Sequence, residues 1–399
     1  MDFLKVNNNF NFDFYTLRKI YGCYHNIYNR TTEKDYYNNA DKIDDYPKKD
    51  IIVVNNIPAY FDARINQENG TYKLFKVYYL DGFLVNLKEF INLDSYIKAQ
   101  FGSKSRSNLR KFVNRLETCF DIRYEMYYGE ITNKKFHFLM NALEKMISRR
   151  FLQRGDTHES LKNWDDYINS TYSMILEKKA SLFVIYDGDK PIYICLNYHH
   201  QNILFFNIPS YDIDYSKFRL GSIAIMKLLD WCFSNNYTIL DLSYGNLDYK
   251  HKWCNSKYIF EHHVIYNKRK VHIQFKAFII AWILRLKAFL KKRKIDLFYH
   301  KIVGKQKRSI NKKGTFKEIN FTSKEITKQT FNDLSTSQID INCDDFAFLR
   351  KTVYDLQYLN FEFTADIKVY KLNTNPNEFV VLGLNKTAML TLVNNPYNH

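Results

Sequence analysis

The sequence predicts a mixed α+β fold, with a central open mixed sheet flanked by helices and a small α+β domain at the C-terminal end. Two patterns support this fold class. Segments with helical spacing alternate with strand-like runs through the first two thirds of the chain, around a meander of three strands. After residue 315 a separate pattern of one helix and several short strands begins. At 399 residues the chain is long enough for two or three domains.

The composition indicates a folded protein of a reducing compartment. Hydrophobic residues make up 46% of the chain, which excludes a disordered protein. The opening "MDFLKVNNNFNFDF" has no basic segment followed by an apolar one, so we expect no secretory signal and a cytoplasmic location. Six cysteines lie far apart, which predicts reduced thiols and neither a zinc site nor a disulfide framework. They are Cys23, Cys119, Cys195, Cys232, Cys254 and Cys343.

The formal charge of +17 is concentrated in one segment. Residues 271–314 contain thirteen Lys and Arg and one acidic residue, for a net charge of +12, whereas residues 315–399 have a net charge of −2. This contrast and the change of pattern divide the chain into four predicted units. They are a β-rich half at 1–125 that ends in a basic helix, a core at 126–270, a basic amphipathic helix and linker at 271–314, and the C-terminal domain at 315–399.

The N-terminal half has strand-like runs in "DIIVVNNIPAYFDARI" and "TYKLFKVYYL". The next segment, "SKSRSNLRKFVNRLE", begins with serines suited to capping and repeats apolar residues at helical spacing. Its basic residues lie on the remaining faces. They are either a solvated surface or a contact for an anionic ligand.

The core is predicted to run strand, two helices, three antiparallel strands, helix and strand. The first three elements are "DIRYEMYY", "KKFHFLMNALEKMISRRF" and "ESLKNWDDYINSTYSMILEKK". The meander "SLFVIYDGDKPIYICLNYHHQNILFFNIPSY" turns at Asp187 and Gly188 and again at 201–202. The helix "GSIAIMKLLDWCFSNN" and the strand "TILDLSYG" complete the unit.

The start of that last helix is a candidate anion site. Gly221 opens the helix, and Lys217 and Arg219 stand just before it. Free backbone N–H groups and the positive end of the helix dipole at such a terminus suit a pyrophosphate group. Many helices without a ligand begin in the same way, so this pattern alone is not specific.

The segment "DLSYGNLDYKHKW" carries a family resemblance. It is similar to the D-x-x-x-G-x-x-x-Y-K-x-x-(W/F) signature of FemAB-like, CelD-type acetyltransferases, within the GNAT superfamily. Asp241, Gly245, Tyr249, Lys250 and Trp253 match it position by position. Upstream, "SRSNLRKFVNRLE" and "GDKPIYICLNYHHQNILFFNIPSYD" resemble the family's Arg-rich helix and central meander, so the resemblance covers roughly residues 95 to 270. The loop "KFRLGS" departs from the GNAT phosphate loop, because it has one glycine.

The resemblance implies an acyltransferase that uses acetyl-CoA or another acyl-CoA. It implies that strands 203–208 and 238–245 run parallel and splay apart, with the cofactor between them and Gly245 at the mouth of the cleft. The implied catalytic residues are Tyr249, as the acid, with Lys250 and Asp241. The implied cofactor-binding residues are Phe206, Asn207, Ile208, Lys217, Arg219, Leu220, Gly221, Ser222 and Gly245.

Other readings of these residues stay open. Asp241, His199, His200 and His251 are all candidates for the general base, and an aspartate paired with a neighbouring helix or backbone N–H is the structural alternative for Asp241. Neighbouring histidines of a strand point to opposite faces, which argues against a shared metal ion at 199–200, and we expect no metal site. Trp253 is expected to be a packing residue.

Residues 274–294, "QFKAFIIAWILRLKAFLKKRK", predict one amphipathic helix that is too charged to cross a bilayer. Three interpretations remain open for its lysines and for its apolar stripe, which consists of Phe275, Phe278, Ile279, Trp282, Leu286, Phe289 and Leu290. The helix lies on an anionic membrane surface, or the stripe packs on the core while the lysines are solvated, or the lysines bind nucleic acid. In the C-terminal domain we expect a helix at "DDFAFLRKTVYDLQYL" and a hairpin about Gly383.

Three functions follow from these patterns. The first is a cytoplasmic N-acetyltransferase that acts on an amine or hydroxyl acceptor, namely an amino sugar or another envelope-polysaccharide precursor. The second is a Fem-type ligase that uses aminoacyl-tRNA. The third is a non-catalytic GNAT-like protein that binds nucleic acid or a membrane.

Overall fold

The structure is a computed structural model that describes residues 9–10, 12–17, 20–38, 50–65, 71–153, 155, 158–245, 247–293 and 319–393. The predicted linker "GKQKRSINKKG" lies outside these residues. The α-helices of the described part are α1 (Leu93–Gln100), α2 (Ser103–Cys119), α3 (Asn133–Gln153), α4 (Trp164–Leu176), α5 (Leu220–Ser234), α6 (Asp248–Trp253), α7 (Val271–Lys292), α8 (Lys328–Asn332) and α9 (Arg350–Asn360).

The described strands occur in three regions of the chain. Those of the N-terminal half are β1 (Tyr24–Asn29), β2 (Lys34–Asn38), β3 (Ile51–Pro58), β4 (Phe61–Ile65) and β5 (Tyr72–Asn86). Those of the core are β6 (Ile122–Tyr127), β7 (Ala180–Asp187), β8 (Lys190–His200), β9 (Ile203–Tyr211), β10 (Ile239–Tyr244) and β11 (Ser256–Asn267). Those of the C-terminal domain are β12 (Phe321–Ile326), β13 (Thr336–Ile339), β14 (Lys368–Leu372), β15 (Glu378–Leu382) and β16 (Thr387–Leu392).

The central sheet has eight strands in the order β3-β11-β5-β10-β9-β8-β7-β6. Its neighbours are antiparallel except for β9 and β10, which are parallel because α5 carries the chain back from the end of one to the start of the other. The predicted fold class, with a mixed sheet between helices, is therefore confirmed.

Each face of the central sheet is covered by its own apolar core. On one face, helices α3 and α4 pack with the N-terminal aromatic residues, including Phe10 and Phe14. On the other face, α1, α2 and α5 pack with the helix of the C-terminal domain. Helix α2 begins after Gly102 without a side-chain hydrogen bond at its cap, so the predicted serine cap is wrong.

The C-terminal domain is a five-stranded antiparallel sheet in the order β12-β16-β15-β14-β13, with β15 and β16 forming the predicted hairpin about Gly383. Helix α9 joins it to the core. The Gln357 side chain donates to the Cys119 carbonyl over 2.6 Å, and Arg350 lies 3.4 Å from the buried carboxylate of Asp214. These contacts fix α9 beside the segment that leads into α5.

Candidate active site

Strands β9 and β10 are paired at one end and separate at the other. Their register joins residues 203, 204 and 205 to residues 239, 240 and 241, and no pairing continues beyond Phe205 and Asp241. The backbone explains why. Ser243 and Gly245 have φ angles of 61° and 111°, in the left-handed region that bends a strand away from its neighbour. The splayed half thus leaves main-chain groups of both strands without a strand partner between them.

The register of β9 also breaks against β8 at this level. The pairing shifts between Leu196 and Asn197, so Phe206 and Ile208 face consecutive residues of β8 and Asn207 is the extra residue of a bulge. The side-chain amide nitrogen of Asn207, Nδ2, is buried and has no hydrogen-bond partner among the described residues. A donor without a partner at the opening of a sheet is a position where a ligand can bind.

A cavity of about 400 Å³ occupies the splayed half. Its walls come from both strands, from α6, from the N-terminal segment and from the region before α4. Apart from Lys250, its polar lining side chains are amides, hydroxyls and one histidine. The lining residues are Asn9, Phe12, Thr16, His158, Ser160, Asn163, Tyr167, Phe205, Phe206, Asn207, Ile208, Pro209, Leu242, Ser243, Tyr244, Tyr249 and Lys250.

Lys250 lies inside this cleft. It belongs to the short helix α6, its side chain is 4% exposed, and its ammonium group donates to the Tyr244 carbonyl. Burial lowers the pKa of Lys250 to about 8, and the nearby Asp241 carboxylate offsets part of that shift. The neutral amine is therefore accessible near neutral pH.

Asp241 lies beneath the cleft, at the last position of β10 that pairs with β9. Its carboxylate accepts hydrogen bonds from Tyr60 at 2.6 Å, from Tyr258 at 2.8 Å and from the Ser243 backbone N–H at 2.7 Å. Burial raises the pKa of Asp241 to about 6, against the opposing effect of these donors and of Lys250. Asp241 thus holds the turn at Ser243 and faces two tyrosines, not the cavity.

Tyr249 lines the cavity beside Lys250. Burial raises the pKa of its hydroxyl well above the ordinary value, so the group stays protonated. The charge of the Arg150 guanidinium offsets part of this rise in the Tyr249 pKa. The guanidinium itself lies over the Tyr211 ring, 4.7 Å from the ring centre. Gly245 follows at the end of β10, where an added Cβ would be 3.6 Å from the Lys250 amine. Its φ angle, rather than lack of space, is what favours glycine.

The second group of predicted binding residues lies at the start of α5 and does not line the cavity. Arg219 is the N-cap of the helix, with a left-handed φ of 59°. The Lys217 ammonium group lies 3.5 Å from the backbone carbonyl oxygen of Asp355 in α9, and Leu220 is buried in the core. An added Cβ on Gly221 would meet nothing within 4 Å, so the first turn, with Ser222 after it, is open to a ligand.

The other base candidates are placed elsewhere. His199 bonds to Ser181 and Tyr237, each over 2.8 Å, and His200 packs against Phe14 on the opposite face. His251 is exposed against Phe83, and Trp253 is a buried packing residue, as predicted. Within the described residues, no cluster of His, Cys, Asp and Glu could hold a metal ion.

Sequence reasoning misses the residues that reach the site from far along the chain. Tyr60 and Tyr258 hold Asp241, and Tyr60 in turn contacts the Tyr15 hydroxyl over 3.2 Å. Thr16 and His158 line the cavity from segments without a motif. Among 32 tyrosines, no local signal distinguishes Tyr60 and Tyr258.

Residues 103–251, which include β9, α5, β10 and most of α6, match the acetyltransferase (GNAT) domain family. These residues form a GNAT domain. The match covers 149 of the 399 residues and indicates that this domain is an acyltransferase domain. No curated protein matches the sequence.

Three solved structures illustrate how similar the chain is to known folds. FemX is 10% identical, covers 58% of this chain and 75% of its own, and has a TM-score of 0.39. A conserved protein of unknown function from Bacteroides thetaiotaomicron is 10% identical, covers 50% of this chain and 63% of its own, and has a TM-score of 0.33. A GCN5-related N-acetyltransferase from Sphaerobacter thermophilus is 12% identical, covers 54% of this chain and 61% of its own, and has a TM-score of 0.27. Such low similarity transfers no substrate or donor to this chain.

Proposed function

We propose that the protein transfers an acyl group from an acyl-CoA, in the simplest case acetyl-CoA, to an amine or hydroxyl of an amino sugar or related envelope-polysaccharide precursor. In this proposal it is a CelD-type, FemAB-like enzyme of the cytoplasm, where CoA thioesters are made. The observation that carries the proposal is the separation of β9 and β10 beyond Phe205 and Asp241, with a cavity in the gap.

The residues present fit a CoA thioester. The extended chain of such a donor would lie along the unpaired edges at 206–208 and 242–245, and its pyrophosphate would meet the first turn of α5. That turn has no acidic residue, has open space at Gly221, and is flanked by Lys217 and Arg219. When bound, the donor supplies a thioester carbonyl that an amine or hydroxyl can attack. Backbone N–H groups of the splayed half would polarise that carbonyl.

The lining of the cavity favours a neutral, hydroxyl-rich acceptor. Asn163, Ser160 and Tyr167 present amide and hydroxyl groups, and none of the described residues that line the walls is acidic. Such groups match the hydroxyls of a sugar, whereas a cationic acceptor would be expected to meet an acidic side chain.

Lys250 is the best-placed proton acceptor. The attacking amine or hydroxyl must lose a proton as the new bond forms, and a lysine with a lowered pKa can take it. We assign Tyr249 a hydrogen bond to the departing sulfur rather than full proton donation, because its raised pKa opposes transfer to a thiolate. Asp241, enclosed by Tyr60 and Tyr258, is a positioning residue that acts through the turn at Ser243.

The test adds a charge at the proposed pyrophosphate site. Gly221→Glu should preserve folding, since an acidic residue is favourable at a helix N-terminus, but should repel the donor. Gly221→Gln is the neutral control of equal size. We expect acetyl-CoA to raise the melting temperature of wild type and of Gly221→Gln far more than that of Gly221→Glu. Equal shifts in both variants would contradict this site.

The same assay separates the donors. Acetyl-CoA, longer acyl-CoAs and aminoacyl-tRNA are compared in turn, and the release of free CoA thiol is followed with a panel of amino sugars. A shift with aminoacyl-tRNA alone would favour the Fem-type ligase. No shift with any donor would favour a non-catalytic role and would overturn the proposed reaction.

A further inference from the structure

Helix α7 has two apolar faces, and only one of them packs on the protein. The packed face contacts Val53, Val77, Val264 and Tyr266 of the sheet below. The residues of the packed face are Ile273, Ala277, Ile280, Ala281, Leu284 and Ala288. The stripe that the sequence singles out is a different one, and it faces away from the sheet.

We call these outward residues the exposed stripe. Phe275 is 66% exposed, Trp282 55% and Phe278 52%, which is unusual for aromatic side chains of this size. The stripe consists of Val271, Phe275, Phe278, Ile279, Trp282, Leu286 and Phe289. The interpretation in which it packs on the core is therefore wrong. A contiguous apolar surface of this kind marks a binding site.

Positive charge borders the exposed stripe on both sides. Residues 268–293 include nine Lys and Arg and no acidic residue. At about 100° per residue, Arg285 and Lys292 fall along one flank of the stripe, and Lys276 and Lys287 fall along the other. All four of these side chains are exposed.

We propose that α7 docks the protein on the surface of an anionic lipid bilayer, with the exposed stripe at the level of the acyl chains and the flanking cations at the headgroups. An amphipathic helix with aromatic and leucine residues between Lys and Arg fits this interface. None of the helices in the described ranges is long and apolar enough to span a bilayer. The proposal does not depend on the reaction proposed above.

Other occupants fit the charges and shapes less well. A second copy docked through the same face would bring two sets of nine cations together without an acidic partner. Single-stranded nucleic acid would use the aromatic rings for stacking, but Ile279 and Leu286 offer no such platform. An anionic bilayer takes up both the aliphatic groups and the cations.

Vesicle flotation of the full chain tests this docking. We expect the protein to float with phosphatidylcholine vesicles that contain about 30% phosphatidylglycerol, and not with phosphatidylcholine alone. The charge variant Lys276→Gln, Arg285→Gln, Lys287→Gln should bind about a hundredfold more weakly. The apolar variant Phe275→Ser, Trp282→Ser should bind at least about tenfold more weakly.

Matched controls come from other surfaces. Lys104→Gln, Arg110→Gln, Lys111→Gln removes three exposed charges from α2, and Ile91→Ser, Leu384→Ser removes two side chains that are 89% and 61% exposed. Both controls should float like wild type. No flotation with the anionic vesicles, or equal losses in the controls and the α7 variants, would overturn the proposal.

Tryptophan fluorescence gives a second measurement, and its first step uses the wild-type protein alone. Trp282 is exposed, whereas Trp164 and Trp253 are buried and Trp231 is half-buried. Anionic vesicles should therefore shift the emission to shorter wavelength, and Trp282→Phe should remove the shift. An unshifted spectrum would contradict the proposal. So would light scattering that finds a dimer in the wild type and a monomer in the apolar variant.

Discussion

The two halves of the β9–β10 pair differ although they belong to the same strands. In the paired half, residues 203–205 and 239–241 are in register, and Leu204 and Leu240 are fully buried in the apolar core on one face of the sheet. In the splayed half the strands part around a cavity, Ser243 and Gly245 adopt left-handed φ angles, and Asn207 keeps an unpartnered amide. The paired half thus stabilises the fold, while the splayed half keeps polar groups available for a ligand.

Asp241 stands at the boundary between these halves. It occupies the last position of β10 that pairs with β9, and its carboxylate also accepts a hydrogen bond from the Ser243 N–H, where the bend begins. A buried, hydrogen-bonded carboxylate can hold a strained turn at a functional site. If this division is right, substitutions in the splayed half should impair transfer, and substitutions in the paired half should impair stability.

The largest expected effect is that of Lys250→Met on turnover. Loss of a general base lowers the rate by about 10²- to 10⁴-fold, and the apolar side chain should keep the buried position filled. Steady-state kinetics with acetyl-CoA, beside the melting temperature, measure both effects. Lys252→Met is the control, because Lys252 is an exposed lysine of the same helix. A Lys250→Met enzyme that keeps full turnover would remove this residue from the mechanism.

Leu204→Ala should act on stability instead. Leu204 is fully buried in the paired half, and truncation of such a leucine lowers the free energy of unfolding by about 2–5 kcal/mol. Turnover per folded molecule should stay close to that of the wild type. Denaturant unfolding and kinetics below the melting transition measure the two quantities. A large loss of turnover in the folded variant would show that the halves are not separable.

The pH dependence of transfer tests the link between Asp241 and Lys250. Since the pKa of Lys250 is lowered to about 8, kcat/KM should rise with pH through that value as the neutral amine forms. The Asp241 carboxylate favours the ammonium form. Asp241→Asn should therefore lower the Lys250 pKa further and move the rise to lower pH. A rise that stays in place, or moves to higher pH, would contradict the assignment.

The smallest expected effect is that of Asn207→Ala. Removing a buried amide nitrogen without a partner should leave the free energy of unfolding unchanged or raise it by about 1 kcal/mol. Acetyl-CoA should bind more weakly, as measured by titration calorimetry. Asn197→Ala is the comparison, because the Asn197 amide is buried and hydrogen-bonded to Ser181, so its loss should lower stability. The opposite order of stabilities would argue against a ligand-binding role for Asn207.

Much of the sheet can be predicted from the sequence because its signals are local. Alternating turn residues and apolar runs predict the meander from Ala180 to Tyr211, and the spacing of apolar residues predicts α5 and β10. The position of Lys250 follows from the resemblance of its motif. Its depth in the cleft does not, since burial depends on elements that come together only in the fold.

Other features could not be predicted because they depend on distant contacts. The tyrosines around Asp241 come from residues 60 and 258, and no local pattern distinguishes them from other tyrosines. The orientation of α7 is a similar case. It has apolar residues on two faces, and periodicity alone cannot tell which face packs on the sheet.

Amide hydrogen exchange with and without acetyl-CoA tests the central claim most directly. In the free protein, residues 203–205 and 239–241 should exchange slowly, whereas those backbone amides of 206–209 and 242–245 that have no hydrogen-bond partner in the fold should exchange fast. Acetyl-CoA should slow exchange in the splayed half and leave the paired half unchanged. Slow exchange across both halves in the free protein, or protection by acetyl-CoA only outside the splayed half, would contradict the account.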